Sequence, residues 1–133
     1  MSAARALGRT EWLLFTLLLA GGVFWHWSSI SWPRFAVAFV GIDLVGYLPG
    51  AVAFRKARGG SIAPLYHWLY NLTHNFVTAA VVVSVWASAL GRLEWAMLAI
   101  PLHLAGDRGV FGNGFKPTDE PFERVAPRPV AVP

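Results

Sequence analysis

Four apolar runs, at 11–27, 35–54, 64–89 and 93–111, constrain this chain more than any other feature of it. Crossing a hydrocarbon core of about 30 Å takes about 20 helical residues, and a backbone in lipid must satisfy its own hydrogen bonds, so such runs fold as helices. The sequence therefore predicts an all-α, four-transmembrane-helix bundle with short loops and antiparallel neighbours, occupying residues 1–115, followed by a Pro-rich tail over 116–133. The basic start and leucine-rich first run resemble a signal peptide. The bulky end Phe24-Trp25-His26-Trp27 and three further runs favour a retained helix. At 56% hydrophobic and 14% charged residues the chain is too apolar for an ordinary soluble domain. Cys is absent, which excludes disulfides and thiolate metal sites.

The net charge of +4 is a topology signal and not a nucleic-acid footprint, because the basic residues sit in loops. Arg5 and Arg9 precede the first run, Arg55, Lys56 and Arg58 separate the second and third, and Lys116, Arg124 and Arg128 follow the fourth. The other two loops hold only Arg34 and Arg92. By the positive-inside bias both termini are expected to be cytoplasmic, in a multi-pass protein of the inner (plasma) membrane. Tryptophans at the run ends fit an interfacial belt, and His26 between Trp25 and Trp27 belongs to it.

Ionisable groups inside such runs are expensive and mark candidate sites. Asp43 lies near the middle of the second run, with Tyr47 one turn on and Gly46 and Gly50 offering close helix approach. In the third, His67, Asn71, His74 and Thr78 recur at helical spacing and form one polar stripe, with His67 at the interface. The fourth carries His103 and Asp107 one turn apart, with Arg108 beside them and Gly109, Gly112 and Gly114 ending the helix. The candidate acid–base set is Asp43, His74, His103 and Asp107, with Tyr47, Asn71 and Arg108 as substrate-binding residues. Arg108 suits an anionic headgroup. Two imidazoles and two carboxylates from three helices are also the ligands of a divalent zinc, iron or manganese site.

Three segments together, Tyr70-Asn71-Leu72-Thr73-His74, His103-Leu104-Ala105-Gly106-Asp107-Arg108 and Gly112-Asn113-Gly114-Phe115-Lys116, resemble the motifs of a functionally uncharacterised family of small four-helix bacterial membrane proteins. That family carries Y-N-x-x-H in its third helix, then H-x-x-x-D-R and a glycine-aromatic-glycine-leucine-lysine run. Here Asn113 stands in place of the aromatic and Phe115 in place of the leucine. The resemblance covers 43–116 and implies the same topology and the same polar residues, without a reaction.

Three function classes follow. The first is an enzyme working by acid–base or metal-assisted chemistry on a lipophilic small molecule drawn from membrane lipids. No serine or cysteine nucleophile lies at the right depth, which disfavours a covalent acyl-enzyme. The second is a structural or assembly subunit whose polar groups fix helix packing. The third is a proton-linked transporter, which at this size would need an oligomer.

Overall fold

The computed structural model describes residues 3–124, and in that span every regular element is helical. Helix α1 runs Ala3–Trp25, α2 Trp32–Gly46, α3 Leu48–Lys56, α4 Pro64–Thr73, α5 Phe76–Leu90 and α6 Ala99–Gly106. A 3₁₀ turn, Trp95–Leu98, leads into α6, and a π-helical turn, Asp107–Phe111, continues it. Two stretches are long and apolar enough to cross a membrane, Ala3–Trp25 and Trp32–Lys56, and the bent pair Pro64–Thr73 and Phe76–Leu90 makes a third if it is one span.

The helices depart from the expected runs in four places. Residues 3–10, read as a basic tail, are the first turns of α1, because Ala3-Ala4-Arg5-Ala6-Leu7 is strongly helix-forming and nothing breaks it. The second run is interrupted at Tyr47, two residues before Pro49, whose ring cannot donate to the turn behind it. The third run is not one helix. It breaks between His74 and Asn75 with a bend of 57°, and Asn75 caps the new helix by accepting from the Thr78 N–H at 2.8 Å. Thr78 thus belongs to a cap on a second axis, and the polar stripe ends at His74. The fourth run is helical over 95–111 but changes winding twice.

Burial is arranged as lipid would demand. Large apolar side chains such as Leu18, Val37, Val77 and Val85 face outward, whereas His67, His74 and His103 are buried. The innermost element is α6, apolar all round, with Ala99, Ile100, His103, Leu104 and Ala105 buried among α1, α2 and α5. Close approach is bought by glycine at two crossings. A Cβ on Gly46 would lie 1.8 Å from Thr73 Oγ1, and one on Gly109 would lie 2.8 Å from the Leu13 backbone nitrogen.

After Gly112, which turns the chain at φ +68°, residues 113–124 are irregular but lie against the helices. Phe122 is 1% exposed and fills a cluster with Ala51, Phe54 and Tyr70. Gly50 serves this ring and not a neighbouring helix, since its Cβ would lie 2.3 Å from Phe122 Cζ. Asn71 fastens the segment by a reciprocal pair, Nδ2 donating to the Lys116 carbonyl at 2.9 Å and Oδ1 accepting from the Lys116 N–H at 2.7 Å. The part of the Pro-rich tail beyond Arg124, with Arg128, lies outside the described residues.

Candidate functional site

The break after His74 places that residue at a helix end, where its ring can enter the bundle, and α6 carries His103. Asp43 comes from α2 and Asp107 from the start of the π turn. The four meet. His74 Nε2 lies 3.2 Å from Asp43 Oδ1 and 3.5 Å from Asp107 Oδ2, and His103 Nε2 lies 3.5 Å and 3.9 Å from the same two oxygens. Each imidazole therefore faces both carboxylates. The rings are edge to face, with centroids 5.5 Å apart.

The hydrogen bonds around His74 fix its tautomer. Its Nδ1 faces the Tyr70 carbonyl at 3.0 Å and Thr73 Oγ1 at 2.9 Å. The Thr73 hydroxyl is itself directed at the carbonyls of Leu69 and Tyr70, so Nδ1 carries the hydrogen. In the neutral ring Nε2 then presents a lone pair to a carboxylate. Two acceptors at 3.2 Å need a proton or a cation between them. The ring is held in place by stacking on Tyr70, centroids 3.9 Å apart. His103 is only 6% exposed, rests against the ring of Phe39, and has no hydrogen-bond partner at either nitrogen. A buried imidazole with both nitrogens unused lacks compensation for its desolvation.

Distances discriminate among the chemistries. Four ligand atoms about 2.1 Å from an ion in a tetrahedral shell lie roughly 3.4 Å from one another. The four nitrogen–oxygen separations, 3.2 to 3.9 Å, bracket that value. The set whose ligand atoms are mutually within 4.8 Å is Asp43, His74 and His103, without Asp107. The void bordering His74 and Asp107, lined also by Tyr70, Leu104 and Arg108, is about 10 Å³. That is about the size of one ion or one water.

The remaining sequence candidates lie around this cluster and not in it. Tyr47 donates its hydroxyl hydrogen to Glu123 Oε1 at 2.7 Å, and Asn71 is engaged with the Lys116 backbone. Arg108 donates to the His74 carbonyl at 3.3 Å and stacks its guanidinium over Trp12 and Phe76, 4.8 and 5.0 Å from their centroids. It does not pair with Asp43. His67 is buried, 2% exposed, with Nε2 3.2 Å from the Glu120 carbonyl and the ring edge-on to Phe122. His26 stacks on Trp95.

Sequence reasoning missed three contributors. Arg9 reaches the end of the π turn, donating from Nε to the Gly109 carbonyl at 3.0 Å and from Nη2 to the Val110 carbonyl at 2.8 Å. Lys116, half buried with its ammonium over Tyr70 and Phe122, donates to the Phe122 carbonyl, and burial holds its pKa below the ordinary lysine value. Phe122 is the third. Only Asn75, an N-cap letter before an apolar run, left a sequence signal for the break that aims His74 inward. A scan against protein-family models, a search of curated proteins and a search of solved structures each returned no match.

Proposed function

We propose that the chain is a multi-pass inner-membrane protein, with four crossings and cytoplasmic termini, in which Asp43, His74 and His103 hold a divalent cation in the inner half of the bilayer, with Asp107 beside them. Such a cation, in the range zinc, iron or manganese, would supply Lewis-acid polarisation of an oxygen of a lipophilic substrate, and Asp107, beside the three ligands, would move the proton. One observation carries this reading: Asp43, His74 and His103 offer ligand atoms mutually within 4.8 Å, and His103 is buried with no hydrogen-bond partner at either nitrogen. The tautomer of His74 supports it, since a ligand histidine commonly donates its other N–H to a backbone carbonyl. Asp107 and His74 border the narrow gap, and a lipophilic tail has an adjacent route. An apolar groove of about 670 Å³ between α2 and α5 is lined by Val37, Ile42, Val45 and Val82, and by Thr73, whose hydroxyl touches His74. The motif resemblance to small four-helix bacterial membrane proteins agrees with this topology and adds no reaction.

The test is elemental analysis of the purified full-length protein after equilibration with zinc, manganese or ferrous ion. About one ion per chain is expected, lost in His103→Ala and Asp43→Asn while both variants remain folded. Folded wild-type protein without stoichiometric metal under all three conditions would sink the reading.

A second reading has its own observation. Each imidazole lies within 3.9 Å of both carboxylates, so two imidazolium–carboxylate pairs would equally well clamp α2, α4 and α6 together as a structural device. Under it, His103→Ala and Asp43→Asn abolish accumulation in the membrane, and the wild type carries no metal.

A further inference from the structure

A basic pocket lies beside this cluster, at the end of the bundle where α1 begins and the π turn finishes. It has a volume of about 680 Å³, and among the described residues its lining holds four arginines, Arg5, Arg9, Arg108 and Arg124, and no carboxylate. Arg9, Arg108 and Arg124, like charges gathered in one concavity, repel one another, and a bound anion would offset that repulsion. Capping the helix end explains part of it. Arg9 binds the Gly109 and Val110 carbonyls, and Arg124 donates to the Gly112 carbonyl at 2.8 Å. Capping does not use up the donors, however. A guanidinium has five N–H groups, of which Arg9 spends two in this way and Arg124 one. The carbonyl bonds hold these forks in place, and the stacking of Arg108 on Trp12 and Phe76 holds a third.

The pocket adjoins the cluster. Arg108, Asn113 and Gly114 line both the basic pocket and the small void that borders His74 and Asp107. Its apolar rim is equally specific, because Trp12 and Phe111 belong to the lining, and Phe111 is 68% exposed on the outer surface of the bundle. We propose that the pocket binds the phosphate group of an anionic amphiphile, gripped by the arginine forks with its apolar part along Trp12 and Phe111, and directs the polar end of that molecule toward the His/Asp cluster. A tetrahedral anion suits several convergent forks better than a single carboxylate does. The direction of delivery rests on the reading of the cluster given above, but binding itself does not.

The experiment uses the full-length protein in phosphatidylcholine nanodiscs, with short-chain phosphatidate as the lipid probe and inorganic phosphate as the soluble one. Phosphatidate should bind, and Arg124→Gln and Arg5→Gln should each weaken it about tenfold, the effect of losing one charge-assisted hydrogen bond. Arg124→Lys, which keeps the charge and loses the fork, should restore part of the affinity. Lys56→Gln, at the end of α3 and outside the pocket, should leave it unchanged. Equal weakening by Lys56→Gln, or none by the two arginine variants, would overturn the site in favour of diffuse attraction between basic loops and anionic lipid. Inorganic phosphate that displaces phosphatidate at comparable concentration supports the phosphate site and assigns it to a soluble phosphoryl compound; failure to displace assigns it to the lipid. Metal content of the same samples keeps the two ideas apart. Phosphatidate binding by metal-free protein leaves this pocket standing and removes the cation reading, whereas bound metal without phosphatidate or phosphate binding does the reverse.

Discussion

Replacing Gly46 with alanine tests how the cluster is assembled without substituting any of its four residues. The added Cβ would lie 1.8 Å from Thr73 Oγ1, 3.0 Å from Thr73 Cβ and 3.2 Å from His74 Cε1. Restoring ordinary contact requires a displacement of about 1.6 Å, and a close-packed interior does not absorb that locally. Thr73 has no free rotation to offer, since its hydroxyl bonds the carbonyls of Leu69 and Tyr70. Helix α4 must move away from α2, and the contact between Asp43 and His74 at 3.2 Å opens first. Overpacking of this kind costs about 1–3 kcal/mol. A ligand shifted by more than about 1 Å leaves a metal shell whose tolerance is about 0.2 Å, so affinity should fall by at least about tenfold. Thermal unfolding of purified protein in detergent reads the first effect, and metal titration reads the second. In the double variant Gly46→Ala, Thr73→Ala the nearest clash is gone, and both losses should be partly recovered. An unchanged midpoint and unchanged metal affinity in Gly46→Ala would show that α2 and α4 do not cross as closely as described, and the reasoning would fail with them.

Four more outcomes are expected. Phe122→Ala removes a ring that is 1% exposed and should cost about 3–5 kcal/mol, read as a lowered unfolding midpoint and as faster proteolysis of the segment after Gly112. Asn71→Ala leaves the Lys116 N–H and carbonyl without their partner and should cost about 1–3 kcal/mol, with Asn71→Asp recovering only the bond from the N–H. Asn75→Ala removes the cap of α5 and should cost about 1 kcal/mol, measured in the same unfolding assay; no loss would argue that the helix runs straight through His74. For Lys116 the folded pKa is lowered by burial, so between that value and the ordinary lysine value the unfolded chain holds more protons. Stability should therefore rise with pH through that window, and Lys116→Met should flatten the slope in a pH series of unfolding midpoints.

Patterns that live in one dimension were legible in the chain. The apolar runs marked where helix forms but not where it breaks, the cost of placing ionisable groups in apolar runs singled out Asp43, His74, His103 and Asp107, and helical spacing joined His103 to Asp107. These follow from the sequence because each depends on residues within a turn or two of one another. What tertiary structure decided was everything that depends on where an axis ends and what crosses it. The 57° break after His74 turns a residue on a stripe into one at a helix end, and removes Thr78 from the same face. Phe122, in a segment without apolar period, enters the core because Gly50 leaves room for its ring, two sites far apart in the chain. Arg9 and Arg124 looked like topology charges, and only the fold brings them to the π turn. Long-range convergence has no local signature, since a side chain's type states what it can bind and only the packing of other helices states what is within its reach.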